Sequence, residues 1–330
     1  MKAIEITQPG GPEVLRVCDR PTPPVGPLDV LIRVAAAGVN RPDVQQRKGL
    51  YPPPPGASDI PGLDTAGIVE QVGTHVTRWR PGDRVCALSS GGGYAELCSV
   101  PQGQVLPVPA GLGLVEAASL PEVFFTAWHN VFQLSRLAAG ETLLVHGGTS
   151  GVGMAAMQMA RVLRDARVIA TAGTAQKCRI SEEYGAHHAV DYHGAWDAAV
   201  RDWAGPHGVD VILDSQAADY VALEVELLAI GGRLALIANH RGDHSTLRTR
   251  AFVQRSLTLT GAQIRRRDTD FKQKIADELV AQAWPELASG RIRTRIQSTF
   301  PLERADEAHA ILDRNEQIGK VVLVVDPALA

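Results

Sequence analysis

The chain predicts an α/β fold in two parts, a β-rich domain and a doubly wound parallel sheet. Three observations lead there. Its 330 residues allow about two domains at roughly 150 residues each. Residues 1–110 break into short β-like runs separated by Gly and Pro. From about Glu122 strand and helix patterns alternate, the order that builds a parallel sheet.

In the first part, residues 3–6, 14–17, 30–34, 66–72, 84–88 and 94–98 alternate with period two or form solid apolar cores. Gly10-Gly11-Pro12, Pro81-Gly82-Asp83 and Gly91-Gly92-Gly93 supply the turns between them. Many short strands at this spacing suggest a barrel or sandwich. Residues 142–146, 167–171, 209–214, 232–237 and 257–260 then read as strands of the second part, with helices over 151–163, 176–184 and 220–229. Residues 269–288 look helical apart from Pro285. A strand over 295–300, a helix over 302–313 and a strand over 320–325 finish the chain. This β-rich end is expected to fold back into the first domain, giving one domain of residues 1–122 with 291–330 and another of 123–290. Pro52–Pro55 predicts a stiff polyproline segment.

Apolar residues make up 45% of the chain and charged residues 21%, enough to fill two cores without disulfide or metal staples. Lys and Arg number 33 against 36 Asp and Glu, so the basic face of a nucleic-acid binder is missing and such a partner is not expected. The one basic run, Arg265-Arg266-Arg267, reads as a solvated surface turn. No stretch reaches the ~18 apolar residues of a membrane helix. Glu5 interrupts any leader at the amino terminus. Cys18, Cys86, Cys98 and Cys178 are too scattered for a disulfide framework, so a reducing, cytoplasmic setting is expected. Cys178 has no His or Asp motif around it and reads as a non-catalytic helix thiol.

The strongest chemical signal is His146-Gly147-Gly148-Thr149-Ser150-Gly151-Val152-Gly153, between the first parallel strand and its helix. Glycines there let the backbone turn tightly and approach a pyrophosphate, while the helix N-terminus aims N–H groups at the negative charge. An NAD site of this kind places an Asp or Glu about 20 residues further on, against the ribose 2′-hydroxyl. Here the second strand runs into Ala172-Gly173-Thr174-Ala175-Gln176-Lys177, with no acid and one lysine on the next helix's first turn. A 2′-phosphate suits that composition, and NADPH is the expected cofactor.

These residues resemble the zinc-free quinone oxidoreductase (zeta-crystallin) branch of the medium-chain dehydrogenase/reductase superfamily. The resemblance rests on Ala37-Gly38-Val39-Asn40-Arg41-Pro42-Asp43, Gly49-Leu50-Tyr51-Pro52-Pro53-Pro54, Pro61-Gly62-Leu63-Asp64-Thr65-Ala66-Gly67, Gly82-Asp83-Arg84-Val85, Phe125-Thr126-Ala127-Trp128, the glycine loop and Gly319-Lys320-Val321-Val322-Leu323, in family order. Residues 46–58 and 91–93 are most similar to the tumour-suppressor-inducible subtype. The resemblance implies a GroES-like first domain, a Rossmann second domain, an active site in the cleft between them and a homodimer. It also implies that Ser150, Gly151, Val152 and Gly153 meet the pyrophosphate, that Gly173, Lys177 and Tyr192 line the adenosine-phosphate pocket, and that Thr126 is a helix-start threonine near the nicotinamide. Asn315 lies in a C-terminal segment that approaches the cofactor in relatives.

Tyr51, between the flexible Gly49 and the proline run, is the first candidate for the catalytic site, and the resemblance implies a substrate-site role for it, as an orienting donor or weak acid. Asn40 follows a strand and is placed either to hydrogen-bond the nicotinamide ribose or substrate, or to serve as a turn residue. Asp43 and Asp64 read as structural, capping or pairing with arginines. In zinc-binding relatives a Cys stands near Asn40 and a His-Glu pair near Leu63-Asp64; neither is present, and His187, His188 and His193 read as surface residues, so no metal is expected. Without a Lewis acid, alcohol oxidation is disfavoured, whereas an electrophilic quinone accepts hydride readily. The expected reaction is therefore NADPH-dependent quinone reduction. Reduction of an enal or enone double bond, and NADPH binding without turnover, stand as alternatives. The last parallel strand, over 257–260, is expected at a sheet edge, the surface through which a dimer would pair.

Overall fold

The computed structural model describes residues 1–330. They form two units: Met1–Phe125 with Ile264–Ser289 and Thr294–Ala330, and Thr126–Gln263 with Gly290–Arg293.

The first unit opens on β1 (Lys2–Ile6) paired antiparallel with β2 (Leu15–Asp19). Its centre is the eleven-residue β3 (Asp29–Val39), which pairs with β4 (Asp64–Val72) along one side. β5 (Arg84–Leu88) lies beyond β4. β6 (Leu97–Pro101) pairs with the first half of β3, and β7 (Val105–Pro107) with β5. Two register shifts between β3 and β4 bend the pair. At Gly67 a Cβ would sit 2.0 Å from the Arg33 carbonyl oxygen, so only glycine lets the strands approach this closely. Val30, Ile32, Val34, Val69, Val85, Ala87, Val100 and Val105 fill the space this sheet encloses.

The second unit is a six-stranded, wholly parallel sheet. Its strands are β8 (Thr142–His146), β9 (Arg167–Ala172), β10 (His188–Asp191), β11 (Val209–Asp214), β12 (Leu228–Leu236) and β13 (Thr258–Gly261), in the order β10-β9-β8-β11-β12-β13. The chain winds outward one way from β8 and the other way from β11, so the carboxyl ends of these two strands mark the switch point where ligands bind in such sheets. Every residue of β8 is buried, as its unbroken apolar run requires. β13 is an edge, as expected from the sequence.

The chain then returns to the first unit. β14 (Ile296–Pro301) pairs parallel with β15 (Lys320–Val324), and β15 pairs antiparallel with the second half of β3. The unit boundary departs from the expected one, because Ile264–Ser289 also belongs to the first unit. Trp284 Nε1 donates to the Pro107 carbonyl at 2.7 Å, and Gly103 leaves room for the Gln273 side chain. The helix expected over 269–288 is two, Thr269–Gln282 and Trp284–Ala288, with Pro285 accommodated in the first turn of the second. Further helices absent from the sequence expectation include Leu114–Ala117, Thr249–Arg255, Arg41–Arg47 and Trp196–Ala204. Arg41–Arg47 is short and polar, and it is nucleated by an Asn40/Asp43 capping box. Trp196–Ala204 buries Trp196, Val200 and Ala204 at helical spacing, a signal the sequence does carry. No helix is long and apolar enough to cross a membrane.

Candidate functional site

In the second unit the chain leaves β8 through Gly147, whose φ of 80° is a glycine conformation, and enters the helix Gly151–Arg164. Ser150 caps that helix, its hydroxyl accepting from the Gly153 N–H at 3.0 Å. A Cβ at Gly153 would lie 2.4 Å from the Gly147 carbonyl oxygen, and one at Gly148 would meet Ser181 Oγ at 2.6 Å. The loop is thus a bare backbone surface ahead of a helix N-terminus, a cradle that fits a pyrophosphate.

One strand over, β9 ends at Ala172. Thr174 caps the next helix, Ala175–Glu183, by accepting from the Lys177 N–H at 3.1 Å. Residues 171–177 contain no acid. Tyr192 folds back over this end, and a Cβ on Gly173 would be 2.3 Å from its phenol oxygen. Gly173, Lys177 and Tyr192 are therefore gathered at one strand end, next to the Ser150–Gly153 loop. This part of the sequence expectation is a single surface. Cys178 beside it is held less acidic than a free thiol by burial, and gains no reactivity from its position.

Directly beneath the loop lies a cluster with no signal in sequence spacing. His146, Asp214 and Glu224 are closed off from solvent and bring their ligand-type atoms within 4.8 Å of one another. Burial pushes the Glu224 carboxyl up to about 8 and His146 down to about 4. Asp214 is raised to about 6, first by burial and then by Glu224. His146 Nδ1 lies 2.9 Å from Thr171 Oγ1, and the two Asp214 oxygens accept from the Gln216 and Ala217 N–H groups. A closed metal site needs four donors, and here there are three, one of them already capping a turn. Protons suffice to neutralise the cluster.

In the first unit Asn40 is buried and both ends of its amide are used. Nδ2 donates to Asp64 Oδ2 at 2.8 Å, and Oδ1 accepts from Lys320 Nζ. Lys320 Nζ also donates to Asp64 Oδ2 at 2.9 Å, and Asp64 Oδ1 accepts from the Glu122 N–H at 2.6 Å. The partner of Asp64 is thus a lysine rather than an arginine. Asp43, the capping residue expected, takes the Asn40 and Gly62 N–H groups; burial raises its carboxyl to about 6. Tyr51 is half-buried, with its N–H on the Gln45 carbonyl at 3.2 Å and the Arg265 guanidinium 5.3 Å from its ring centre.

Two expectations need correction. Arg265 is 7% exposed, not a solvated turn residue like Arg266 and Arg267. Thr126 lies at the end of the helix Pro121–Ala127, not at a helix start; its carbonyl accepts from Asn130 Nδ2 as the chain widens into a π-helix over Trp128–Leu134. Asn315 sits beyond the helix Ala305–Asp313 with φ 54°, ending that helix, and its side-chain oxygen accepts from Arg41. Lys320 is the functional-looking residue that reading by type overlooked. Its signal was weak: a single lysine opening an otherwise apolar strand.

Comparison with known proteins matches residues 26–110 to the alcohol dehydrogenase GroES-like domain and 151–281 to the zinc-binding dehydrogenase family. A quinone oxidoreductase of Rattus norvegicus is 33% identical over 329 residues, covering 98% of each chain. Among solved structures, a mycobacterial protein complexed with NADPH is 32% identical with a TM-score of 0.88, covering 98% of this chain and 100% of that one. Escherichia coli quinone oxidoreductase complexed with NADPH is 27% identical with a TM-score of 0.86, at 98% and 100% coverage.

Proposed function

The chain belongs to the medium-chain dehydrogenase/reductase superfamily, and from that premise we propose that it is an NADPH-dependent quinone oxidoreductase that works without zinc. Its quinone oxidoreductase relatives and NADPH-bound structural neighbours support an oxidoreductase with a nicotinamide cofactor. The observation that carries the choice of NADPH is the acid-free end of β9, where Gly173, Lys177 and Tyr192 adjoin the glycine loop.

NADPH, when bound, supplies hydride. The backbone N–H groups of Ser150–Gly153 would hold the pyrophosphate and Lys177 with Tyr192 the 2′-phosphate, while Thr126 is proposed to face the nicotinamide. Tyr51 would orient the acceptor by donating from its hydroxyl to a quinone oxygen, stabilising charge that develops there. Zinc independence is supported by the donors themselves. Leu63 stands where zinc-binding relatives place His, and the Lys320 ammonium already supplies the positive charge facing Asp64. A divalent ion there would have to displace a buried ammonium. Homodimer formation is supported by β13, a four-residue edge strand carrying the part-exposed Leu259.

Steady-state assays with 1,2- and 1,4-quinones beside alkenals, on protein shown metal-free by elemental analysis, test the proposal. Quinone turnover with NADPH is expected. Turnover confined to alkenals would replace it with double-bond reduction, and NADPH binding without any turnover would make the chain a binding protein.

A further inference from the structure

Burying a guanidinium is costly unless its donors are met, so Arg265 invites the question of what it holds. Nε and Nη2 donate to the Ser90 carbonyl at 3.0 and 2.8 Å. Nη2 also donates to Gln46 Oε1 at 2.6 Å, and Nη1 to the Tyr51 carbonyl at 3.4 Å. The guanidinium carbon stands 5.3 Å from the centre of the Tyr51 ring. One side chain thereby grips the backbone and the ring face of the same tyrosine. The framework behind it is firm: Lys272 Nζ, itself buried, donates to the Arg265 carbonyl at 3.0 Å and to Ser90 Oγ at 3.2 Å. Gln46 carries the link across the Tyr51 loop, donating to the Asp59 carbonyl at 2.9 Å beyond its far end.

The loop itself is anchored at its start, where the Leu50 and Tyr51 N–H groups both bond the Gln45 carbonyl. Leu50 is 72% exposed, and Pro52–Pro55 lack backbone donors. We propose that Arg265 is the positioning residue for Tyr51, fixing where its hydroxyl stands toward the acceptor oxygen. This rests on the quinone reductase reading for its consequence, though the clamp itself does not. The geometry calls for Arg in particular. A planar fork reaches three oxygens at once while presenting a cation to a ring, whereas the Lys ammonium is a point charge. A cation over the ring also draws electron density from it and makes the hydroxyl a better donor.

The test uses Arg265→Lys, Arg265→Met and Gln46→Ala in the full chain, alone and combined with Tyr51→Ala. Three measurements are made: quinone kcat and KM at saturating NADPH, the NADPH dissociation constant, and amide hydrogen exchange over residues 49–58. Arg265→Lys is expected to raise quinone KM about tenfold, to leave NADPH affinity within about twofold and to speed exchange in the loop. Its kinetic effect should vanish in the Tyr51→Ala background. An equal effect with and without the Tyr51 ring would overturn the proposal, as would unchanged exchange over 49–58. Should Arg265→Met fail to fold, Arg265→Lys and Gln46→Ala decide the matter. If the wild type reduces no quinone, the function reading falls, while the exchange measurement still decides the clamp.

Discussion

The Nε2 of His146 lies 2.9 Å from Oε1 of Glu224, with neither side chain reaching solvent. No other group hydrogen-bonds either Glu224 oxygen, so a carboxylate there would be uncompensated, and the group keeps its proton near neutrality. The pair sits one residue before the glycine loop and joins β8 to the helix Asp219–Leu227.

Its pH dependence follows from signs. Glu224 is raised to about 8, so the folded state binds the extra proton above the ordinary carboxylate range, and stability falls as pH rises toward 8. His146, depressed to about 4, acts oppositely, but only below its ordinary value near 6.5, and Asp214 is spent by about 6. Between about pH 6.5 and 8, Glu224 therefore sets this cluster's slope. Chemical denaturation should show the wild type losing about 1–2 kcal/mol relative to Glu224→Gln over that interval. Parallel curves for the two proteins would mean that Glu224 is ionised throughout.

Asp64 and Lys320 form a buried ion pair, so removing one partner strands the other. Lys320→Met is expected to cost about 3–5 kcal/mol of unfolding free energy. Adding Asp64→Asn should recover part of the loss, because the stranded charge is removed. A single-variant cost below about 1 kcal/mol would place the pair among weakly coupled surface bridges.

Lys177→Ala should raise the NADPH dissociation constant several-fold and leave NADH unchanged, since only the 2′-phosphate needs the ammonium. Gly173→Ala should reproduce part of this selective loss by pushing the Tyr192 phenol aside. Because Tyr192 is 41% exposed, shifting its ring disturbs little buried packing, and the melting temperature should hold. Equal losses for both nucleotides, read by fluorescence titration, would remove the 2′-phosphate assignment.

Ala218 adopts φ 51° and ψ −123°, a region that side chains avoid. The preceding turn imposes it: Asp214 Oδ2 pulls in the Ala217 N–H at 2.7 Å, and Tyr220 N–H bonds the Ala217 carbonyl. Ala218→Gly is expected to raise unfolding free energy by about 1 kcal/mol, net of the greater chain entropy of glycine. A destabilised variant in urea titration would show that the methyl group costs nothing there.

Local chemistry decided much of this protein before any folding. Period-two runs and glycine-bounded apolar strands placed most elements, because those signals repeat within a few residues. The loop Ser150–Gly153 and the acid-free end of β9 were readable for the same reason: a tight turn and a helix N-terminus are made by adjacent residues. The closure of β15 on β3 was legible only as a β-rich tail. The remainder depended on partners far apart in the chain. Asn40 meets Lys320, His146 meets Glu224, and Arg265 reaches back to Tyr51, so no spacing in the sequence announces them. Type alone misjudged Arg265, since three arginines in a row look solvated until the fold buries one. A charge's surroundings are set by which segments pack around it, and that is a property of the tertiary structure alone.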